Sequence, residues 1–369
     1  MKVLTIVSYP FLPATTGGEI CTLGLHNELA KTNEVTVYTV EPYATNFTKP
    51  NFELIANLPF KASRYINIFV FFKILKLIKT KEIDIVFFEQ TWYGWLLLLL
   101  KTFTNKKIVV RAHNIEHLRF KSIGKLWWKL LYYYEKITYK SANKVFFLTE
   151  EDRQKAIEVF KLNANKTQVI PYGVDIKSMP VKNENAEANI KLRHQINEND
   201  HIILFYGTMG YKPNNDAVLY LLNKLQPALQ KHPNFFYKIL VCGKNLPFTI
   251  EQKIKANPSI IYCGFVPNLN EYIDAANVVL NPILSGGGVK TKAIDALARN
   301  ANLVSTETGA IGIDKAVCGN KLYVVNDHDV DGFATAIIKY CEAKTTNIPK
   351  QFYETYNWTK IIERLELLR

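Results

Sequence analysis

The chain has 369 residues, 48% hydrophobic and 21% charged, with a formal net charge of +13. That length predicts two domains, each with its own core. The five cysteines (Cys21, Cys242, Cys263, Cys318, Cys341) are scattered without a CxxC pair, which argues against a disulfide framework or zinc site and fits a reducing cytoplasm.

The opening MKVLTIVSYP has too short an apolar run for a signal peptide and reads as a first strand. The longest apolar run, Trp95 to Leu100, is far too short to span a bilayer. The charge is lopsided: residues 61–140 hold 16 basic and 5 acidic side chains. Such a region can meet nucleic acid, anionic lipid or a phosphorylated acceptor.

In chain order, a strand at Val3–Val7 leads through Thr15-Thr16-Gly17-Gly18 into a helix carrying Leu23, Leu25, His26 and Leu29, then a strand at Glu34–Tyr38. This is a doubly wound α/β start, without GxGxxG in its first loop. Gly17 and Gly18 at a helix start are placed to donate amides to a phosphate. Residues 64–79 read as an apolar helix with Lys73, Lys76 and Lys79 on one face. Strands follow at Ile83–Phe88 and Ile108–Val110, the second running into Arg111-Ala112-His113-Asn114-Ile115-Glu116. His113 and Glu116 lie just past a strand's carboxyl end, where open α/β sheets bind ligands. Residues 125–140 form an aromatic, basic helix, and Val145–Leu148 is a strand.

The polar stretch 176–200 reads as a linker between domains at 1–175 and 201–350, with a C-terminal helix at 351–369. The α/β rhythm restarts at Ile202–Tyr206, followed by Gly207-Thr208-Met209-Gly210, and strands recur to Leu322–Val325. The stretch that organises this half is Asn281 to Ala298, NPILSGGGVKTKAIDALA: strand, glycine turn, helix. Gly286, Gly287 and Gly288 let the backbone approach a ligand closely, Lys290 and Lys292 add positive charge, and Asp295 lies further along the helix. Amides and lysines suit a phosphate, and a carboxylate suits ribose hydroxyls. Asp327, Asp329 and Asp331 have DxD spacing but read as ordinary helix capping, so no metal is expected.

Five motifs in order carry a resemblance: P-x-x-x-G-G from Pro13 through Gly18, RxHN at 111–114, VIPYGVD at 169–175, GTM-x-Y-x-PN at 207–214, and GGGVKTK-x-x-DALA. Together they resemble the GT-B-fold retaining glycosyltransferases of family 4, in the GGG-x-[KR] subgroup, over nearly the whole chain. The resemblance implies two Rossmann-like domains facing a cleft. The C-terminal helix would pack back toward the N-terminal, acceptor-side domain. A UDP- or GDP-sugar would bind mainly to the second domain. Gly207, Met209 and the 286–292 loop would approach phosphate and sugar, with Asp295 on the ribose. Gly17 and Gly18 would contact the diphosphate, and His113 the transferred sugar. With Lys290 and Lys292 stabilising the leaving diphosphate, such a hexosyltransferase works without metal or cofactor. Its acceptor is a glycan or lipid-linked glycan in cell-surface polysaccharide synthesis, not nucleic acid.

The sequence departs from the family's pattern at Gly287 and Asp295, where the classical pair of glutamates would fall, and at Asn300 and Asn302, where Gly and Pro are usual. The basic aromatic segment, with Lys73, Lys76 and Lys79 beside Phe69, Phe71 and Phe72, predicts peripheral association of a cytoplasmic protein with the inner face of the plasma membrane. The competing readings are a basic membrane- or nucleic-acid-binding protein with a degenerate donor site, and a GT-B sugar-nucleotide epimerase.

Overall fold

A computed structural model of the chain describes residues 1–42, 44, 47–343 and 346–365. It divides into two compact units, Met1–Asp175 with Tyr356–Arg369, and Ile176–Thr355.

The first unit is built on a parallel sheet of seven strands: β1 (Lys2–Val7), β2 (Glu34–Val40), β3 (Glu53–Leu58), β4 (Ile85–Glu89), β5 (Lys107–Ala112), β6 (Lys144–Phe147) and β7 (Thr167–Val169). Their order is β3-β2-β1-β4-β5-β6-β7. Register pairs Val3 with Val35 on one side and with Ile85 on the other, so β1 and β4 are central. Their residues are almost all buried, as expected of parallel strands covered on both faces. The helices are α1 (Gly17–Leu29), α2 (Phe69–Thr80), α3 (Gly94–Phe103), α4 (Glu116–Ser122), α5 (Trp128–Ser141) and α6 (Glu150–Phe160). Helix α2 buries Val70, Phe71, Ile74 and Ile78. Each such side chain contributes about 1.5–3 kcal/mol when fully buried.

The second unit repeats the plan. Its strands are β8 (His201–Tyr206), β9 (Tyr237–Cys242), β10 (Ile260–Gly264), β11 (Val278–Asn281), β12 (Leu303–Thr306) and β13 (Leu322–Val325). The order β10-β9-β8-β11-β12-β13 is that of a dinucleotide-binding sheet. Its helices are α7 (Ala186–His194), α8 (Lys212–Tyr220), α9 (Gln226–Gln230), α10 (Phe248–Lys255), α11 (Leu269–Ala275), α12 (Thr291–Ala298), α13 (Val330–Glu342) and α14 (Lys350–Tyr356). The polar stretch 176–200 falls inside this unit. Its helix α7 packs against α11 through the buried Ala186 and Ile190, and two inward side chains in a polar stretch give little periodic signal.

The last helix, α15 (Trp358–Glu363), belongs to the first unit. Val174 donates its amide to Tyr356 O at 2.7 Å, and Trp358 donates back to Val174 O at 3.1 Å. The Trp358 indole lies so close to Gly24 and Gly173 that a Cβ there would come within 2.4 and 2.3 Å of it.

Candidate active site

In both sheets the strand order reverses beside the first strand, between β1 and β4 and between β8 and β11. Ligands of open α/β sheets bind at the carboxyl ends of strands at such switch points. Gly17 and Gly18 follow β1, Gly207 and Met209 follow β8, and the 286–292 loop follows β11, while His113 follows the neighbouring strand β5 and Asp295 lies on α12.

In the second unit, β8 ends in Gly207-Thr208-Met209 and β11 runs into the glycine loop. Gly286 and Gly288 adopt φ of 91° and 72°, the left-handed region that glycine enters without strain. A Cβ on Gly286 would also crowd the Tyr211 hydroxyl at 3.1 Å and Pro213 at 3.3 Å. Lys290 folds back over this loop and donates to the carbonyls of Gly286 (2.8 Å), Gly287 (3.3 Å) and Gly288 (2.9 Å). Lys292 donates to Asn214 Oδ1 at 3.0 Å and lies 4.3 Å from the centre of the Phe205 ring. Asn214 is fixed in turn by its bond to Thr208 O at 2.9 Å. Both lysine side chains are half-buried, and their ammonium groups bond to uncharged oxygens. Burial lowers Lys290 to about 8, and burial followed by the charge of Lys290 lowers Lys292 to about 7. Among the described residues neither ammonium is ion-paired with a carboxylate, an arrangement that favours a bound anion.

Asp295 is half-buried on α12. Beside it, the buried Tyr206 hydroxyl donates to Lys292 O at 2.6 Å. Burial, and after it the Asp295 charge, push that hydroxyl well above its usual range. Asn300, standing where the family has Gly, takes a left-handed φ of 64° just past α12, a position Asn tolerates. Met209 is placed differently from its predicted role. Its side chain is fully buried in the core, and its amide donates to Lys244 O at 3.0 Å. Gly207 lies against Asn214, whose Nδ2 would be 2.9 Å from an added Cβ.

In the first unit, Gly17 and Gly18 form the first turn of α1. Glu19 completes a capping box: its Oε2 accepts from the amides of Thr15 and Thr16, both at 2.8 Å, and the Thr16 side chain accepts from Glu19 N. The carboxylate therefore holds the loop ahead of the glycines. A Cβ on Gly18 would meet open space.

His113 lies just past β5 and is largely buried. Its Nε2 is 2.7 Å from Glu89 Oε2, and its Nδ1 is 3.5 Å from Gln90 Nε2. Glu89 ends β4, directly paired in register with Arg111. Its Oε1 lies 2.9 Å from His26 Nε2 and 3.2 Å from Arg111 Nη1. Arg111 Nη2 also donates to Cys21 Sγ at 2.8 Å. Burial alone would raise the Glu89 carboxyl. Arg111, then the hydrogen bonds from His113 and His26, outweigh it and hold the group well below the usual carboxylate range.

Sequence reasoning passed over Glu89 and treated His26 as one residue of a helical face. The available signal was an acidic residue closing the apolar strand IVFFE, beside a strand that ends in Arg111-Ala112 and runs into His113. Glu116 turns to Arg119, as a local ion pair. Glu135 of α5 supports this corner by accepting the amides of Glu116 and His117 at 2.8 and 2.9 Å. The three aspartates with DxD spacing are each engaged: Asp327 with Thr308, Asp329 with Gly332 N as helix cap, and Asp331 with Lys231. In the basic segment, Phe71 points into the core, contrary to its grouping with Phe69 and Phe72, because it lies on the same face of α2 as Ile74 and Ile78. Phe69 and Phe72 are exposed, as are Leu126, Trp127 and Leu130 around α5. Among the described residues no helix is long and apolar enough to cross a membrane.

Solved structures share this two-domain fold. A glycosyltransferase from Rickettsia africae superposes with a TM-score of 0.73 at 18% identity, over 98% of this chain and 96% of that one. Anabaena HepE, crystallised with UDP-glucose, gives 0.71 at 13% identity, over 99% and 98%. The lipopolysaccharide outer core galactosyltransferase WaaB gives 0.68 at 12% identity, over 98% of each chain. These likenesses establish the GT-B fold class. Residues 15–178 match the family described as Glycosyltransferase Family 4, and residues 200–343 the family described as Glycosyl transferases group 1. The chain is therefore a glycosyltransferase of the GT-B type. An uncharacterised 44.6 kDa protein in the cps region of Klebsiella pneumoniae is 26% identical over 283 residues, 70% of this chain and 66% of that protein.

Proposed function

We propose that the protein moves a hexose, with retention of anomeric configuration and without a metal, from a nucleotide-diphosphate donor to a glycan or lipid-linked acceptor in cell-surface polysaccharide synthesis. The carrying observation is the pair of lysines at the glycine loop of the β8/β11 switch point, Lys290 and Lys292, neither ion-paired with a carboxylate among the described residues. A diphosphate supplies the missing negative charge. In transfer, these groups stabilise the charge that develops on the leaving diphosphate. Amides of Gly17 and Gly18 are available to a phosphate in the same reading, Asp295 takes the ribose hydroxyls, and His113 the transferred sugar. UDP-glucose bound by HepE and the cps region of the Klebsiella relative support a nucleotide-sugar donor and a polysaccharide product. A panel of UDP-, GDP- and ADP-sugars tested by thermal shift checks the donor, because a ligand that binds only the native state raises its stability. Stabilisation by one nucleotide family is expected. No shift with any of them would sink the reading.

The same proposal places the enzyme on an anionic membrane. Phe69, Phe72, Leu126, Trp127 and Leu130 expose apolar area near Lys73, Lys76, Lys125 and Lys129. Apolar side chains insert at the interface, and each nearby lysine adds about 1 kcal/mol of attraction to anionic lipid. Co-sedimentation with vesicles should rise with anionic lipid content and fall with salt, since exposed charges are screened over about 10 Å at 0.1 M ionic strength. Equal recovery in the supernatant with neutral and anionic vesicles at low salt would remove the membrane claim and leave the transferase claim standing.

A further inference from the structure

The cluster around Glu89 carries a consequence for the orientation of His113. Glu89 has one oxygen toward His113 and the other toward His26 and Arg111. An ionised carboxylate only accepts hydrogen bonds, so each imidazole nitrogen facing it carries the proton. On His26 the opposite nitrogen, Nδ1, then accepts from Thr5 Oγ1 at 3.4 Å. On His113 the opposite nitrogen has, among the described residues, only the Gln90 amide, at the 3.5 Å limit of a hydrogen bond. Gln90 sits at a left-handed φ of 68° and is held there by its amide bond to Arg111 O at 2.8 Å. Strained non-glycine backbone of this kind persists only where its surroundings enforce it.

We propose that Glu89 is the positioning residue for His113: it accepts the Nε2–H, fixes the ring, and leaves the Nδ1 lone pair to accept a hydroxyl of the transferred sugar. The inference rests on the reading of His113 as the sugar-facing residue. A buried ion pair stabilises a fold no better than well-packed apolar side chains of similar volume. This one lies at the carboxyl ends of β4 and β5, where a parallel sheet binds its ligand. Through Cys21 and His26 it also grips α1, the helix that begins with Gly17 and Gly18. One carboxylate thus sets the ring of His113 and anchors the helix behind the candidate phosphate loop.

The first test needs no turnover. Histidine-labelled full-length protein, without donor and at alkaline pH, is read by long-range proton–nitrogen correlation. His113 is expected as the Nε2–H tautomer. A predominant Nδ1–H form, or a rapidly exchanging mixture, overturns the proposal. The second test is Glu89→Gln, whose amide can offer its own N–H to the imidazole and reverse the tautomer. Its kcat should fall at least about 10-fold, the lower end of what loss of an orienting partner costs a metal-ligating imidazole, with KM for the donor little changed. Glu89→Asp keeps the charge and should retain the Nε2–H form with part of the activity, which keeps the comparison available if the glutamine variant does not fold. Undiminished kcat in a variant whose tautomer has switched also overturns the proposal. Absence of sugar transfer by the parent protein would instead count against the transferase reading, and the tautomer result would stand apart from it.

Discussion

At the end of β4, Glu89 is enclosed by Arg111, His26 and His113; past the topologically equivalent end of β11, the ammonium groups of Lys290 and Lys292 hydrogen-bond to uncharged oxygens. The two domains share a strand order and place charge at the same point of it. In the first, the charge is balanced within the protein, and its removal leaves a buried ion alone. In the second, the balance is left to a ligand. Burial there draws the lysines down to about 8 and about 7, so the free protein bears a cost that an arriving anion relieves. One arrangement fixes geometry before binding, and the other reserves its electrostatic gain for the bound state.

Substitutions that strip charge from each site should therefore act in opposite directions. Glu89→Leu strands Arg111 in the core and is expected to lower unfolding stability by about 3–5 kcal/mol, read by urea denaturation. Lys292→Met removes a charge that burial disfavours. Its stability should stay within about 1 kcal/mol of the parent or rise above it, while donor affinity drops by about 1.5–3 kcal/mol, the value of a hydrogen bond to a charged group. Equal destabilisation by the two changes would erase the contrast. Asp295→Ala should weaken nucleotide binding by about 1–3 kcal/mol, measured by titration calorimetry on the folded variant.

The pH dependence sharpens the same point. A bound diphosphate favours the ammonium form, so donor binding above about pH 7 should take up protons. Affinity should be level below the free-protein values and fall as pH rises through about 7 and 8, by up to about tenfold per pH unit for each lysine. Calorimetry in buffers of different ionisation enthalpy measures that uptake directly. Stability of the free protein should run the other way. Unfolded lysines titrate near about 10.4. Between the depressed native values and that point the unfolded chain holds more protons, so these two groups make stability rise with pH. The smallest structural effect tests the glycine loop. Gly286→Ala combines a disfavoured φ with a tight contact to Tyr211, and should cost about 1 kcal/mol of stability.

Much of the architecture was legible in the sequence. Runs such as VLTIV, IILFY and NVVL mark strands buried on both faces, and glycine turns mark the strand ends that bind ligands. The edge strand β3, with mostly half-exposed residues and little alternation, left no comparable mark. Helix α3, with Leu at 96–100, is apolar without a helical period and read only as an apolar run. For the site, residue types foretold the lysines and the glycine loop because their chemistry is local. Glu89 and His26 are 63 residues apart, and only the packing of helix α1 against the end of β4 brings them to one point, so composition and spacing along the chain could not join them. Asn300 shows the reverse case: a departure from the family pattern that the backbone absorbs at a left-handed turn.

The seat of Trp358 sets an order in time. Gly24 and Gly173 shape its floor, and Thr359 Oγ1 bonds Glu28 Oε1 at 2.8 Å on the same helix α1. The ribosome delivers that floor early and its occupant only after the whole second domain has been made. Domains otherwise tend to fold in the order they emerge. Here the first domain leaves the exit tunnel with an open apolar slot beside α1, and closes it only after the second domain has been made. The arrival of Trp358 thus completes a domain whose sheet was made before the second one.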